Sequence, residues 1–169
     1  MLETYRPMRV VLFLVIAFLA SSVQAELIIG RAVHVADGDT ITVLDAGNVQ
    51  HKIRLAGIDA PEKAQAYGQR SRESLDELVA GQAVIVETTK KDRYGRLVGK
   101  VLVNGRDINI EQIRRGMAWF YRHYEKEQSA SDRQSYDRAE VEAKDHRRGL
   151  WVDKNPTPPW DFRASGRQR

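Results

Sequence analysis

Val49-Gln50-His51-Lys52-Ile53-Arg54-Leu55-Ala56-Gly57 is the stretch that decides the fold. Side chains alternate between the two faces of a strand, so Ile53 and Leu55 share one face and Arg54 projects from the other. Read outward, this run from Val49 to Ala56 is the third of three strands. Leu27 to Val35 alternates apolar with small or polar residues, Asp37-Gly38 breaks it, and Thr40 to Leu44 resumes a β-branched pattern. Asp45-Ala46-Gly47-Asn48 is a turn cluster, so the three runs form a meander. Beyond Gly57 the period changes. Ser74, Leu75, Leu78 and Val79 recur at helical spacing within Ala66 to Ala80, and Gly81 sits at a C-terminal stop. Strands return at Ala83 to Thr88 and Leu97 to Val103. Three strands, a helix and two strands is the order of an OB-fold, a small barrel that often binds oligonucleotides.

The remainder reads as support for that barrel. Asn104-Gly105 signals a hairpin leading into Asp107 to Ile110, and Ile110, Ile113 and Met117 suggest a short helix. A last helix is expected from Ser131 to Arg147, with Ser131 and Gln134 as its capping box and Gly149 at its end. The fold class is therefore mainly β with helices: a five-stranded OB barrel flanked by about three α-helices. Leu150, Trp151, Trp160 and Phe162 are expected to pack back onto it from a proline-containing tail at residues 153–169.

Residues 1–25 read as a signal peptide rather than as part of the domain. Arg6 and Arg9 form a basic start, Val10 to Ala20 is apolar without a break, and Val23-Gln24-Ala25 offers small residues for cleavage. That run is too short for a comfortable membrane span, which needs about 20 residues. Of 169 residues, about 144 remain, a single domain over 26–152 plus the tail. The expectation is a secreted or periplasmic monomer with no stable membrane association after cleavage. The chain has no cysteine, and its four histidines lie far apart, which argues against a zinc hydrolase. A net charge of +4 permits a polyanionic partner without demonstrating one.

Two acidic clusters and two arginines carry the chemistry. Asp39 opens the second strand, Arg54 lies on the third, and Asp59 follows five residues later beyond a bend at Gly57. Two strands joined by a short turn bring these three to one end of a barrel. Carboxylate oxygens suit calcium or magnesium, and two direct carboxylates imply weak binding, on the order of 10⁻⁴ to 10⁻³ M. Glu62, after the stiffening Pro61, is placed to accept a proton from an attacking water. Arg96, in Asp92-Arg93-Tyr94-Gly95-Arg96, can pair with phosphate oxygens through a planar fork that lysine lacks. Taken singly, Asp37-Gly38-Asp39-Thr40 is a plain turn, Arg54 a solvated charge and Glu62 a loop glutamate. In this order together they make a set for phosphodiester chemistry.

With these residues in view, the chain resembles the staphylococcal-nuclease-like (thermonuclease) family. The matching segments are Asp37-Gly38-Asp39-Thr40, Ile53 to Glu62, Tyr67-Gly68, Asp92 to Arg96 and Ile110 to Ala118, in family order. The resemblance implies a calcium-dependent nuclease that cleaves DNA and RNA between phosphorus and the 5′ oxygen, leaving 3′-phosphorylated products. It implies Asp39 and Asp59 as calcium ligands, completed by the carbonyl of Ala60, with Glu62 acting on the water. Arg54 and Arg96 would bind phosphate, and Tyr94 and Tyr124 would line a nucleotide pocket. Two departures stand out: the loop between Glu62 and Tyr67 is short, and Arg122 stands where the family places a pocket tyrosine. The competing expectations are a non-catalytic OB module that binds nucleic acid and an exported interaction domain.

Overall fold

The structure, a computed structural model, describes residues 26–166; the expected signal peptide lies outside the described residues. Among the described residues, eight strands and four α-helices run in the order β1 (Glu26–Asp37), β2 (Thr40–Asp45), β3 (Gln50–Leu55), β4 (Ile58–Asp59), α1 (Gly68–Val79), β5 (Ala83–Lys91), β6 (Leu97–Val103), β7 (Arg106–Asp107), α2 (Ile108–Arg114), β8 (Trp119–Phe120), α3 (Ala130–Asp145) and α4 (Pro159–Gly166). Short 3-10 segments occupy Arg122–Glu127 and Gly149–Val152.

The meander β1–β2–β3 pairs antiparallel, and β5 lies antiparallel to both β1 and β6. A parallel pairing of β3 with β6, with Ile53 opposite Leu97 and Leu55 opposite Gly99, closes five strands into a barrel. Closure removes the exposed sheet edges that otherwise invite aggregation. Register shifts in β1 between Ala32 and His34 and between Val35 and Asp37 bend that strand, the second immediately before the Asp37 turn.

The interior follows from the alternation. Ile41, Val43, Ile53, Leu55, Val84, Val86 and Val101 fill the barrel, and Leu75, Val79, Ile108, Ile113 and Tyr136 seal it from the helices in one continuous core. Fully burying one such aliphatic side chain is worth about 1.5–3 kcal/mol.

Several sequence expectations shift. The last helix begins one residue earlier than expected, and its cap is Ser129, whose hydroxyl accepts the Asp132 N–H at 3.0 Å, rather than Ser131. The segment after Asn104-Gly105 is strand only at Arg106–Asp107, because the Asp107 carboxylate accepts the Ile110 N–H at 3.1 Å and starts α2. The tail is more ordered than a proline-containing extension suggests: Pro159 opens the fourth helix, which the sequence reading lacked. Trp160 does pack back, edge-on to Trp119 at 5.6 Å and stacked on Tyr121 at 5.4 Å.

Candidate active site

The first acid is delivered by the tight turn between β1 and β2. The Asp37 carboxylate accepts the Asp39 N–H at 3.1 Å, an Asx turn that fixes the backbone. Gly38 is required there for space: a Cβ would lie 1.8 Å from Ser71 Oγ and 2.7 Å from the Ala60 methyl. Buried Gln112 on α2 holds the same turn, donating through Nε2 to the Gly38 carbonyl at 2.8 Å and the Ser71 carbonyl at 3.0 Å. Asp39 is thereby fixed inside the protein. Its carboxylate accepts the Ala60 N–H at 2.7 Å and the Thr40 hydroxyl at 3.1 Å.

Arg54 clasps the first acid to the second. Its Nη1 lies 3.1 Å from Asp39 Oδ2 and donates to the carbonyls of Leu55 and Ile58 at 3.0 and 2.9 Å. Nη2 donates to Asp59 Oδ1 at 2.9 Å. Asp59 is 1% exposed and belongs to β4, which follows the turn at Gly57, where φ is +71°. Its partner strand is β8, Asp59 standing opposite Trp119. Two-residue strands give no periodic signal, so this ribbon was not legible in the sequence.

β8 is itself held by a buried acid. Glu140 of α3 is 0% exposed and accepts the Phe120 N–H at 3.0 Å, Arg122 Nη1 at 2.9 Å and Lys144 Nζ at 2.8 Å. Arg122 also pairs with Asp137. Arg122 thus faces α3. Tyr121, one residue earlier, lines the cleft beside Tyr124, and the sequence reading missed it.

Asp39, Arg54, Asp59, Glu62 and Arg96 all border one open cleft of about 1090 Å³. Arg96 approaches from the β5–β6 hairpin, its Nε on Asp92 at 2.7 Å and its Nη1 donating to Thr40 Oγ1 at 3.3 Å. Tyr94 is 69% exposed at the rim, beneath the guanidiniums of Arg93 and Arg96 at 4.9 and 5.5 Å. Tyr124 carries Lys90 over its ring at 4.9 Å. A basic residue unforeseen in the sequence also reaches the acids: Arg163 of α4 donates to both oxygens of Asp59 and to Glu62 Oε1.

Burial pushes the Asp39 carboxyl up to about 7; Arg54 opposes this, while the charges of Asp37 and Asp59 add to it. The acidic donors of the site are hard oxygens, which suits a divalent cation such as calcium. Among the described residues no three acid or histidine side chains form a ready-made ion cage. A cation here would therefore complete its shell with backbone oxygen and water. The bond seen from Ala60 is its N–H on Asp39.

A five-stranded barrel whose mouth joins carboxylates, arginines and exposed tyrosines in one cleft defines a nucleic-acid hydrolase of the OB class. The family model described as Staphylococcal nuclease homologue matches residues 52–153. An uncharacterized endonuclease of Escherichia coli is 43% identical over 135 residues, covering 79% of this chain and 84% of that protein. A micrococcal nuclease of Shigella flexneri is 41% identical over 147 residues, covering 82% of each. Protein ParB of Escherichia coli is 38% identical over 176 residues, covering 99% of this chain. The chain belongs to the staphylococcal nuclease family and is a nuclease.

Proposed function

We propose that the protein is an exported, calcium-dependent nuclease that hydrolyses DNA and RNA to 3′-phosphorylated products. The observation that carries the reading is the convergence of Asp39 and Asp59 on Arg54, at 3.1 and 2.9 Å, in a cleft that also holds Glu62 and Arg96. The apolar run behind a basic start in residues 1–25 supports export.

In this reading Asp39 and Asp59 hold calcium, with the Ala60 carbonyl as a further oxygen donor. When bound, the cation polarises the phosphate and neutralises the charge that builds up in the transition state. Glu62 takes a proton from the attacking water. The resulting hydroxide adds to phosphorus, the bond to the 5′ oxygen breaks, that oxygen takes a proton from solvent water and leaves as an alcohol, and Glu62 returns its proton to solvent. Arg54 and Arg96 donate to the phosphate oxygens, fixed donors aimed where negative charge develops. Tyr94 and Tyr124, exposed at the cleft, offer their rings to the nucleotide. Stacking on such a face is worth about 1–3 kcal/mol per base and tolerates any sequence.

The test is digestion of plasmid and single-stranded DNA and of RNA with calcium, magnesium or chelator, followed by analysis of product ends. Calcium-dependent cleavage leaving 3′-phosphates is expected. Glu62→Gln should lose about 10²–10⁴ in turnover while still binding substrate. Wild-type rates in that variant would remove Glu62 from the reaction, and binding without cleavage in any metal would instead favour a non-catalytic module.

A further inference from the structure

The C-terminal helix α4 carries a cation onto the acids. Arg163 Nη1 and Nη2 donate to Asp59 Oδ1 and Oδ2 at 3.2 and 2.7 Å, and Nη1 donates to Glu62 Oε1 at 2.7 Å. One planar fork thus engages both oxygens of a carboxylate that is 2% exposed and reaches the neighbouring glutamate as well. A guanidinium in this bidentate position and a divalent ion on the same carboxylate oppose each other, because two like charges would lie a few ångströms apart in a site screened little by water.

The helix that brings Arg163 here is docked through several contacts. Gln65, in the loop after Glu62, donates through Nε2 to the Thr157 carbonyl at 2.5 Å. Trp160, three residues before Arg163 and so on a neighbouring part of the helix surface, stacks on Tyr121 with an interplanar angle of 25° and meets Trp119 edge-on. The segment lies beyond the residues that match the family.

We propose that Arg163 is a resident competitor for the cation: α4 seats its guanidinium on Asp59 and Glu62 when calcium is absent and withdraws it when calcium binds. The C-terminal helix thereby sets the calcium concentration at which the site becomes competent. This rests on the reading that Asp39 and Asp59 hold calcium. Linkage makes the effect reciprocal, so calcium loosens α4 by the same factor by which docked α4 weakens calcium binding. If about nine molecules in ten hold Arg163 docked, the apparent affinity is about tenfold below that of the open site.

Calorimetric titration of calcium into the purified protein tests this directly, comparing wild type with Arg163→Ala, Arg163→Gln and Arg93→Ala. Far-UV circular dichroism confirms that each variant is folded. Both Arg163 variants should bind calcium about tenfold tighter than wild type. Arg93→Ala removes an exposed charge at the cleft rim and should stay within about twofold, because solvent and salt screen it. In wild type, calcium should also speed amide hydrogen exchange in α4. Equal calcium affinity in wild type and both Arg163 variants overturns the inference and leaves the calcium reading standing. So does α4 exchange that calcium leaves unchanged. A tenfold gain in Arg93→Ala as well would reduce the effect to general charge and overturn it too. Absence of calcium binding in every protein overturns the calcium reading, and the inference with it.

Discussion

Replacing Gln112 with methionine removes polar atoms from the core while nearly conserving volume, so the cavity contribution is small. Gln112 is 0% exposed; Nε2 serves the Gly38 and Ser71 carbonyls, and Oε1 accepts the Ser74 hydroxyl at 2.7 Å. In the variant the Gly38 carbonyl loses this donor, and Ser74 loses its acceptor while keeping Arg115 Nη1 at 3.3 Å. The buried Gly38 carbonyl without its donor and the Ser74 hydroxyl without its acceptor cost about 1–3 kcal/mol each, hence about 2–6 kcal/mol together. Against a total stability of about 5–15 kcal/mol that is a large fraction. At about 2–4 °C per kcal/mol it lowers Tm by about 4–24 °C. Gly38 immediately precedes Asp39, so the same loss frees the turn that aims the first acid. Misplacement by about 1 Å costs about 10² in rate, so kcat should fall far more than KM rises. Urea unfolding and steady-state digestion of single-stranded DNA measure both effects. A variant within about 0.5 kcal/mol of wild type, with unchanged kcat, would refute the role given to Gln112.

Two further outcomes follow from the buried acids. The Asp39 carboxyl is raised to about 7 in the folded chain, chiefly by burial, so its contribution to stability is fully present below its unfolded value near 3.8 and is lost as pH rises through about 7. In chelator, the stability difference between Asp39→Asn and wild type should therefore shift in favour of the variant from pH 4.5 to pH 7.5; urea midpoints that stay parallel across that range would contradict this. Glu140→Ala strips the buried Phe120 N–H of its acceptor, whereas Arg122 and Lys144 are nearly half exposed and regain water. The loss should be about 1–3 kcal/mol in urea unfolding, and a change below about 0.5 kcal/mol would mean that β8 is held by other contacts.

The barrel was legible because its strands alternate and its turns carry Asp-Gly and Asn-Gly at the breaks. Asp39, Arg54, Asp59 and Glu62 were legible because each interrupts an apolar run or flanks a stiff turn. Gln112 and Asn109 were not, since polar residues on a short helix look like surface until their burial is seen. Asn109 in fact accepts the Val101 N–H and donates to the carbonyls of Ala56 and Gly99, tying α2 to β6 and to the turn before β4. Tyr121 was hidden by the two-residue strand ahead of it. Arg163 was hidden by sequence distance, since it lies 104 residues from the acid it meets. Proline pre-set for a first helical turn did mark the start of α4 at Pro159, a signal available in the sequence and passed over.

The two arginines on the acids differ in how firmly they are held, and that difference gives the site its direction. Arg54 is 14% exposed, projects from a closed barrel strand and spends its donors on two carbonyls as well as two carboxylates. Moving it requires breaking several bonds in a water-poor setting, so it stays and leaves the charge of Asp37, Asp39, Asp59 and Glu62 only partly answered. Arg163 is 38% exposed and rides on a helix of eight residues at the end of the described chain. An isolated helix that short is marginal in water, so its order depends on tertiary contacts such as those of Trp160 and of Thr157 with Gln65. In the proposed exchange a cation offered to Asp59 would therefore displace Arg163 rather than Arg54. Asp59, with Arg54 fixed between it and Asp39 and Arg163 shared between it and Glu62, is where the proposed exchange with a cation would take place.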